Sequence, residues 1–419
     1  MPSLILMGVF PALRYITDYF STAGQHNQGF FLGNFLSWIL SDMDAFHLST
    51  AALAIDILKN EKSKTGNFIF SPLCIASTLT LAFKGAKGNT ATEIEKVLHF
   101  ENVKDYDFRF QTLTSDISRI SAASSLKIVK RLYVDSSFNC SKVFIDSAKK
   151  PYPSELEIID IKSRAEEARN QINTSIKDLT DGNVENILAE GLLNENTNML
   201  LLGAAYYTGS WLYKFNEGET KEGEFHVTKT ETKPVQMMQL KAPLSIRTVK
   251  EDNLLILDIP FDGKRMSLLI IMPICIEDDS TGLEKLEREL TYENYVKWTN
   301  PSMMANSKVQ LSFPKFNFKS SLNYKDNLKS LGMNDVFNEE VADFSGMSEK
   351  KGLSVSETIY EAGIDIGEDG TEAVDAIRER VLMSKTECNI NHPFLFLVKH
   401  SKTQGILLFG RYTGPTVLC

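Results

Sequence analysis

The residues best suited to take part in chemistry lie in one stretch near the end of the chain. Arg378 and Arg380 stand in a polar, exposed-looking run, and trypsin-like proteases cut after such residues. This run lies between an alternating segment that ends at Gly367 and an apolar strand pattern over Phe394–Val398. A connection of roughly 25 residues without helical periodicity is far longer than an ordinary link, which favours a functional loop.

The rest of the chain lacks the residue patterns of a catalytic or metal centre. No nucleophile elbow, phosphate-binding loop or histidine pair at ligand spacing occurs, and the six histidines are dispersed. His392, which directly precedes Pro393, is interpreted as a packing residue. We therefore predict that the chain is not an enzyme and that it holds no metal and no cofactor.

The five cysteines are odd in number and widely spaced, without a C-x-x-C pair or a Cys/His cluster. This pattern predicts free thiols in a reducing compartment. Cys388 falls in the long, exposed-looking loop, so we expect it to oxidise or pair if the protein leaves the cell. Asn139 and Asn173 each begin a glycosylation sequon, which matters only if the chain enters the secretory pathway.

Composition bounds the classes of partner. With 419 residues and 43% hydrophobic content, the chain can bury a large core, in several domains or in one. The net charge is −9 and the basic residues are scattered, which argues against a nucleic-acid partner. No uninterrupted apolar segment reaches the roughly 18 residues of a membrane span.

Residues 1–42 differ from the rest, because they are rich in aromatic residues and almost uncharged. The apolar run Leu4–Phe10 lacks an early positive charge and meets Pro11, so it does not make a convincing signal peptide. We favour an alternative start, with Met43 as the working initiator, over a targeting segment.

Local signals predict helices in the first third of the chain. An apolar face over Met43–Lys59 indicates an amphipathic helix. Ser71 followed by Pro72 predicts the cap and first turn of a second helix through Phe83. Thr90 and Glu93 have the spacing of a capping box for a third.

Strand patterns dominate the second half. The predicted strands are 68–70, 126–134, 156–159, 199–207, 254–261, 265–272, 308–318, 394–399 and 405–412, and polar helices are predicted near 163–179 and 323–331. We find no internal repeat and no low-complexity linker. The pattern predicts one α+β domain.

Several motifs, in this order along the chain, resemble those of the serpins, the serine protease inhibitor family. They are Asn67–Pro72, Gly85–Thr90, Tyr206–Phe215, Pro314–Phe316, Asp343–Met347, His392–Phe394 and Phe409–Arg411. A single match would be weak, but this many in the right order are highly specific. The resemblance covers everything from Met43 to the end.

With Met43 as the initiator, the lack of a further N-terminal tail and the ending soon after Pro415 resemble the ovalbumin-type (clade B) intracellular branch. This resemblance implies an α+β serpin fold with three β-sheets, about nine helices and an exposed reactive-centre loop over about 368–391. It further implies a monomeric serpin domain over 43–419, with 1–42 as an extension outside the fold.

The resemblance leaves two functions open. Segments such as Ser175–Gly182 and Trp298–Pro301 are similar to a non-inhibitory member of the branch. Such a member acts as a binding factor for protein or extracellular-matrix partners in cell adhesion, motility and growth restraint, and it occurs in the cytoplasm and outside the cell through unconventional secretion. The alternative is an inhibitor of trypsin-like serine proteases, whose cleaved loop inserts as a new strand into the central sheet.

The start of the loop resembles the serpin hinge. Its residues are Glu368, Asp369, Gly370, Thr371, Glu372, Ala373, Val374, Asp375, Ala376 and Ile377. Alternate side chains of an inserted strand face the core, and the resemblance implies that Asp375 and Glu379 are among them. An unpaired carboxylate buried there costs roughly several kcal/mol, so insertion would be slow; if Asp375 instead stays solvated, the loop never inserts.

The resemblance also marks a region that controls opening of the central sheet, formed by Ser71, Cys74, Gly203 and Tyr360. The family usually has an asparagine where Gly203 stands and a histidine where Tyr360 stands. Either the polar link between these positions is lost, or Tyr360 simply fills the space that Gly203 leaves.

The protease-facing position is ambiguous. The candidates for the cleavage site are Arg378, Arg380, Val381, Leu382 and Ser384. Counting from the hinge points near Ser384, counting back from His392 points near Leu382, and the resemblance puts a basic residue at Arg380. Simple cleavage by a serine protease, without inhibition, is the favoured interpretation.

Overall fold

The computed structural model describes residues 45–61, 66–118, 124–151, 155–277, 280–372 and 385–415. Within these residues the chain forms nine α-helices and sixteen strands, which make three sheets. The predicted α+β class, with three sheets and about nine helices, is confirmed.

The helices of the described residues are α1 (45–60), α2 (Pro72–Phe83), α3 (Gly88–Val97), α4 (Tyr106–Ser118), α5 (Lys142–Lys149), α6 (Ala165–Leu179), α7 (Leu283–Glu289), α8 (Tyr292–Thr299) and α9 (Lys325–Ser330). The second helix begins as predicted, because the Ser71 side chain accepts a hydrogen bond from the Cys74 N–H and Pro72 occupies the first turn.

The strands are β1 (Phe68–Phe70), β2 (Ser124–Asp135), β3 (Leu156–Ile159), β4 (Met199–Gly209), β5 (Trp211–Tyr213), β6 (Lys221–His226), β7 (Thr232–Val249), β8 (Leu254–Pro260), β9 (Met266–Pro273), β10 (Ala305–Pro314), β11 (Phe316–Asn323), β12 (Val355–Ile366), β13 (Gly370–Glu372), β14 (Lys385–Asn389), β15 (Phe394–His400) and β16 (Ile406–Tyr412). The largest sheet has the order β1-β16-β15-β9-β8-β7-β10-β14, and β6 pairs with β7.

The five-stranded sheet, called the central sheet below, has the order β11-β12-β4-β2-β3. Its strand β4 is buried on both faces. Leu201 and Ala205 face a core shared with α2, whereas Leu200 and Leu202 face a second core shared with α6. This double burial is the reason why β4 is a continuous apolar run instead of an alternating one.

The predicted capping box is wrong. Helix α3 begins at Gly88, so Thr90 lies inside it and is buried. The Thr90 hydroxyl accepts from the Asp343 N–H at 2.9 Å, and the Glu93 carboxylate accepts from the Asn334 N–H at 2.8 Å. Both side chains therefore cap a distant loop and not their own helix.

The strand predicted over 308–318 is two strands in different sheets. Strand β10 ends at Pro314 and β11 begins at Phe316. Between them, the Lys315 N–H donates to the Gln236 carbonyl at 2.8 Å, and the chain passes from the large sheet to the central sheet. The apolar pattern runs on because both sheets pack against the same core.

The end of the predicted loop is a regular strand, in which Glu387 and Asn389 are exposed but Cys388 is buried. Strand β14 pairs in parallel with β10 and sets Cys388 beside Leu311. Cys388 is 5% exposed, and burial raises the pKa of its thiol to about 12. The expectation of an exposed, oxidation-prone Cys388 is therefore wrong. The residues around it are polar like those of a loop, whereas the pairing of β14 with β10 buries the thiol.

Candidate functional site at the loop hinge and the central sheet

The hinge begins where β12 leaves the central sheet, and it is held by Trp211. The indole N–H of Trp211 donates to the Gly367 carbonyl at 2.7 Å, and its backbone N–H donates to the Asp369 carbonyl at 2.8 Å. The Phe215 N–H donates to the Glu368 carbonyl at 3.1 Å. Strand β13 then continues the pairing in parallel with β5.

The Glu368 side chain fixes the hinge to two other elements. Its carboxylate forms a 2.8 Å ion pair with the Lys315 ammonium and accepts a 3.0 Å hydrogen bond from the Thr220 hydroxyl. Burial opposes ionisation of Glu368, but the hydrogen bonds from Lys315, from its own backbone and from Thr220 outweigh burial and lower its pKa.

Gly203 and Tyr360 are direct neighbours in the paired strands β4 and β12. A methyl group built on Gly203 would lie 2.5 Å from Tyr360 Cδ1 and 3.0 Å from Cys74 Cβ. The Tyr360 ring is therefore seated in the space that a larger residue at position 203 would occupy. Of the two interpretations of this pair, the structure has the one in which Tyr360 fills the space.

The Tyr360 hydroxyl makes a hydrogen bond inside the core, with the Thr78 hydroxyl of α2. Tyr360 is 4% exposed, and Tyr324 packs edge-on against its ring at a centroid distance of 5.6 Å. Burial raises the pKa of Tyr360. The ring thus links β12 to α2 and to the segment before α9.

Ser71 and Cys74 lie at the start of α2, beneath the same strands. The Ser71 hydroxyl donates to the Leu407 carbonyl at 2.8 Å, while the Cys74 thiol lies 3.8 Å from the Val129 and Ala204 carbonyls. Burial raises the pKa of Cys74 to about 11. Cys74, Gly203 and Tyr360 meet directly, and Ser71 joins them through the cap of α2.

The central sheet is closed at the position where a loop strand would enter. Strands β4 and β12 are paired with each other in parallel, from Met199 beside Val355 to Thr208 beside Asp365. Any inserted strand would have to separate them.

Part of the predicted site lies outside the described residues. This part comprises Ala373, Val374, Asp375, Ala376, Ile377, Arg378, Arg380, Val381, Leu382 and Ser384, as well as the extension 1–42. The structure describes Glu368, Asp369 and Gly370 fully, and only the backbone of Thr371 and Glu372.

The structure also shows the surroundings of His392 and of the two sequon asparagines, Asn139 and Asn173. His392 is buried, its ring bonds to the Pro273 carbonyl and to Asn391 Oδ1, and burial lowers its pKa. Asn173 is buried too, and its amide group both donates to and accepts from the Leu188 backbone, at 3.0 and 2.9 Å. Asn139 is exposed.

Across the part of the chain that the structure describes, no group of three His, Cys, Asp or Glu side chains comes together to hold a metal ion. In the same ranges, no helix has both the length and the apolar character that crossing a membrane requires.

Sequence reasoning missed the side chains that hold the hinge and the tyrosine. Lys315 stands in a segment that was noted only as a family motif, and Thr220 and Thr78 carry no local signal. Their partners are distant along the chain, since 53 residues separate Lys315 from Glu368 and 282 separate Thr78 from Tyr360.

We next compared the chain with known protein families and solved structures. The family model described as "Serpin (serine protease inhibitor)" matches residues 48–415. The chain belongs to the serpin family.

Within this family the chain is similar to maspin. It is 58% identical over 376 residues to Serpin B5 of Xenopus tropicalis, covering 89% of this serpin and 99% of that relative. A crystal structure of maspin is 48% identical, with a TM-score of 0.86 over 90% of this chain and all of that one. A structure described as that of a tumour suppressing serpin is also 48% identical, with a TM-score of 0.83 over 89% of this chain and all of that one.

Proposed function

We propose that this maspin-like serpin does not inhibit proteases and is not an enzyme, but acts as a binding factor for protein partners, including extracellular-matrix or cell-surface proteins. We propose that this binding acts in cell adhesion, motility and growth restraint. The observation that carries the proposal is the Tyr360 ring seated over Gly203 between the paired strands β4 and β12.

The physical argument concerns what insertion of the loop would disrupt. The backbone hydrogen bonds between β4 and β12 can be remade with a new strand, so their loss is not decisive. The contact between Tyr360 and Gly203 cannot be remade, because the new strand would come between them. The buried hydrogen bond to Thr78 would also be strained or lost, which costs roughly 1–3 kcal/mol.

The loop sequence supports the same proposal. An inserted loop would carry Asp375 and Glu379 into the interface between sheet and helices, where each unpaired carboxylate costs roughly several kcal/mol. A serine protease that cuts at Arg378 or Arg380 would then complete hydrolysis and leave. In this proposal, proteases cut the loop but are not inhibited by it.

The remaining proposals concern organisation and location. We propose a monomeric serpin domain over 43–419, with 1–42 outside it, and the family match over residues 48–415 agrees with these bounds. From the family resemblance we also propose a protein that works both in the cytoplasm and, after unconventional secretion, outside the cell.

The test is thermal melting before and after one limited tryptic cut in the loop, with mass spectrometry to locate the cut. We expect the same Tm for the intact and the cut chain, because the cut loop does not insert. A large rise in Tm together with a covalent protease adduct that survives denaturation would overturn the proposal.

That second outcome would support the alternative function, an inhibitor of trypsin-like serine proteases. The near-complete hinge sequence from Glu368 to Ala373 is the observation that favours it. The covalent adduct separates the two functions directly, because a loop that is only a substrate leaves no adduct.

A further inference from the structure

His47, near the start of α1, is a buried imidazole that has no hydrogen-bond partner among the described residues. The residue is 9% exposed, and both ring nitrogens are shielded from solvent and unpaired. Its ring lies edge-on to Phe46 at a centroid distance of 5.3 Å, and Phe46 in turn packs edge-on against Phe110 of α4. Burial and these aromatic contacts favour the neutral form of the ring.

The ring packs directly against the turn between β15 and β16, residues 401–405. A methyl group built on Gly405 would lie 2.9 Å from His47 Nδ1, so the glycine allows this close approach. The turn is closed by the His400 N–H, which bonds to the Gly405 carbonyl at 2.9 Å. The His400 ring is itself buried and bonds to the Thr403 hydroxyl at 2.9 Å.

The charged groups around the two histidines are mainly cations. Arg109 of α4 acts on His47, and Lys402 and Arg265 act on His400, while Asp116 of α4 is the carboxylate that acts on His400. A proton on His47 would add a buried charge that no hydrogen bond among the described residues stabilises. Burial first, then His400 and Arg109, lower the pKa of His47 to about 4.

We propose that His47 and the turn 401–405 form an acid-sensitive latch, in which protonation of His47 releases the start of α1 from the turn. The latch is independent of the proposed binding function and of the loop. It lets the first helix of the fold respond to mildly acidic surroundings while the central sheet stays closed.

The direction of the pH effect on opening of the latch follows from the protonation state of His47 when the latch is closed and when it is open. Above the ordinary pKa of 6.5, His47 is neutral whether the latch is closed or open, so the latch has its full stability. As the pH falls from 6.5 toward 4, only the open state takes up the proton. The opening constant then rises roughly tenfold per pH unit in the middle of this window.

Hydrogen–deuterium exchange on the full chain, corrected for the intrinsic rate at each pH, measures this opening. Between about pH 7.4 and 5.5 we expect the opening constant of the amides of early α1 and of 401–405 to rise on the order of tenfold. In the His47→Gln variant the rise is expected to disappear. The matched control is His392→Gln, which removes another buried histidine with a lowered pKa and should keep the rise.

If the glutamine variant does not fold, His47→Leu carries the test, because leucine suits the apolar contacts with Phe46 and Phe110. Two results would overturn the proposal. One is the absence of any rise in the unmodified chain. The other is a rise that persists in the His47 variants, and if that rise then vanishes in His400→Gln, the second histidine is the sensor.

Discussion

Gly203 and Tyr360 are complementary in volume as well as in register. The glycine has no side chain to oppose the ring, and the ring reaches past it to Thr78 and close to Cys74. A change at one of these positions therefore has a cost that depends on the residue at the other. The pair acts as one unit of packing.

This coupling predicts the outcome of a double-mutant cycle. Gly203→Asn alone should lower the free energy of unfolding by about 1–3 kcal/mol, because the new side chain collides with the Tyr360 ring. Tyr360→His alone should also destabilise, since it leaves a void and removes the contact with Thr78. The double variant should regain part of the loss, because the smaller ring makes room for the asparagine.

Urea denaturation of the four proteins measures the cycle. Coupling of at least about 0.5 kcal/mol is expected for residues in contact. If the two losses in the free energy of unfolding simply add, the two positions do not share one space. The Tyr360–Gly203 contact would then not oppose loop insertion, and the main support for the non-inhibitory function would be lost.

At the scale of elements, the hinge depends on three segments that meet at Glu368. Strand β5 holds the hinge backbone, the corner between β10 and β11 supplies Lys315, and the segment before β6 supplies Thr220. The continuous apolar pattern of 308–318 conceals this corner, where β10 ends and β11 begins. The break that the sequence hid is the same feature that positions the ammonium group.

We predict that Lys315→Met loosens the hinge locally without unfolding the domain. Because Lys315 is about half exposed, the loss in global stability should stay below about 1 kcal/mol. Hydrogen exchange at the amides of 368–372 should accelerate several-fold, since the Glu368 carboxylate loses its charge partner.

The control for this prediction is Lys285→Met, which removes the exposed ion pair of Lys285 in α7 with Glu277. This variant should leave exchange at the hinge unchanged. Equal acceleration in both variants would mean that general charge loss, and not the bond to Glu368, controls the hinge.

At the scale of the whole molecule, opening the central sheet affects both of its faces. Alternate residues of β4 are buried under α2 on one side and under α6 on the other. Separating β4 from β12 therefore requires α6 to shift as well as Tyr360 to leave Gly203. A loop that brings carboxylates to this interface adds a further cost.

We predict that removing those carboxylates favours insertion. In the Asp375→Ala, Glu379→Ala variant, the cut chain should melt at a higher temperature than the cut parent chain, because no unpaired charge enters the core. Thermal melting of intact and cut samples checks this. If the cut variant melts like the intact one, the closed sheet alone prevents insertion and the loop carboxylates are irrelevant.

The sequence by itself determined the features that depend on neighbours along the chain. The cap of α2 at Ser71, the short strand β1 and the doubly buried run of β4 follow from local spacing and apolar pattern, and the structure has them. The ordered motifs were enough for the family and the α+β class. The predicted hinge likewise rests on its own run of residues, Glu368 to Ile377.

Tertiary structure alone decided which side chains meet. Thr90 and Glu93 look like a local cap but serve a distant loop, and Cys388 looks exposed but pairs into a sheet. The partners of Glu368 and Tyr360 lie 53 and 282 residues away. A sequence pattern reports the preference of each segment for a conformation and for burial, whereas these contacts arise only when separate segments pack against one core.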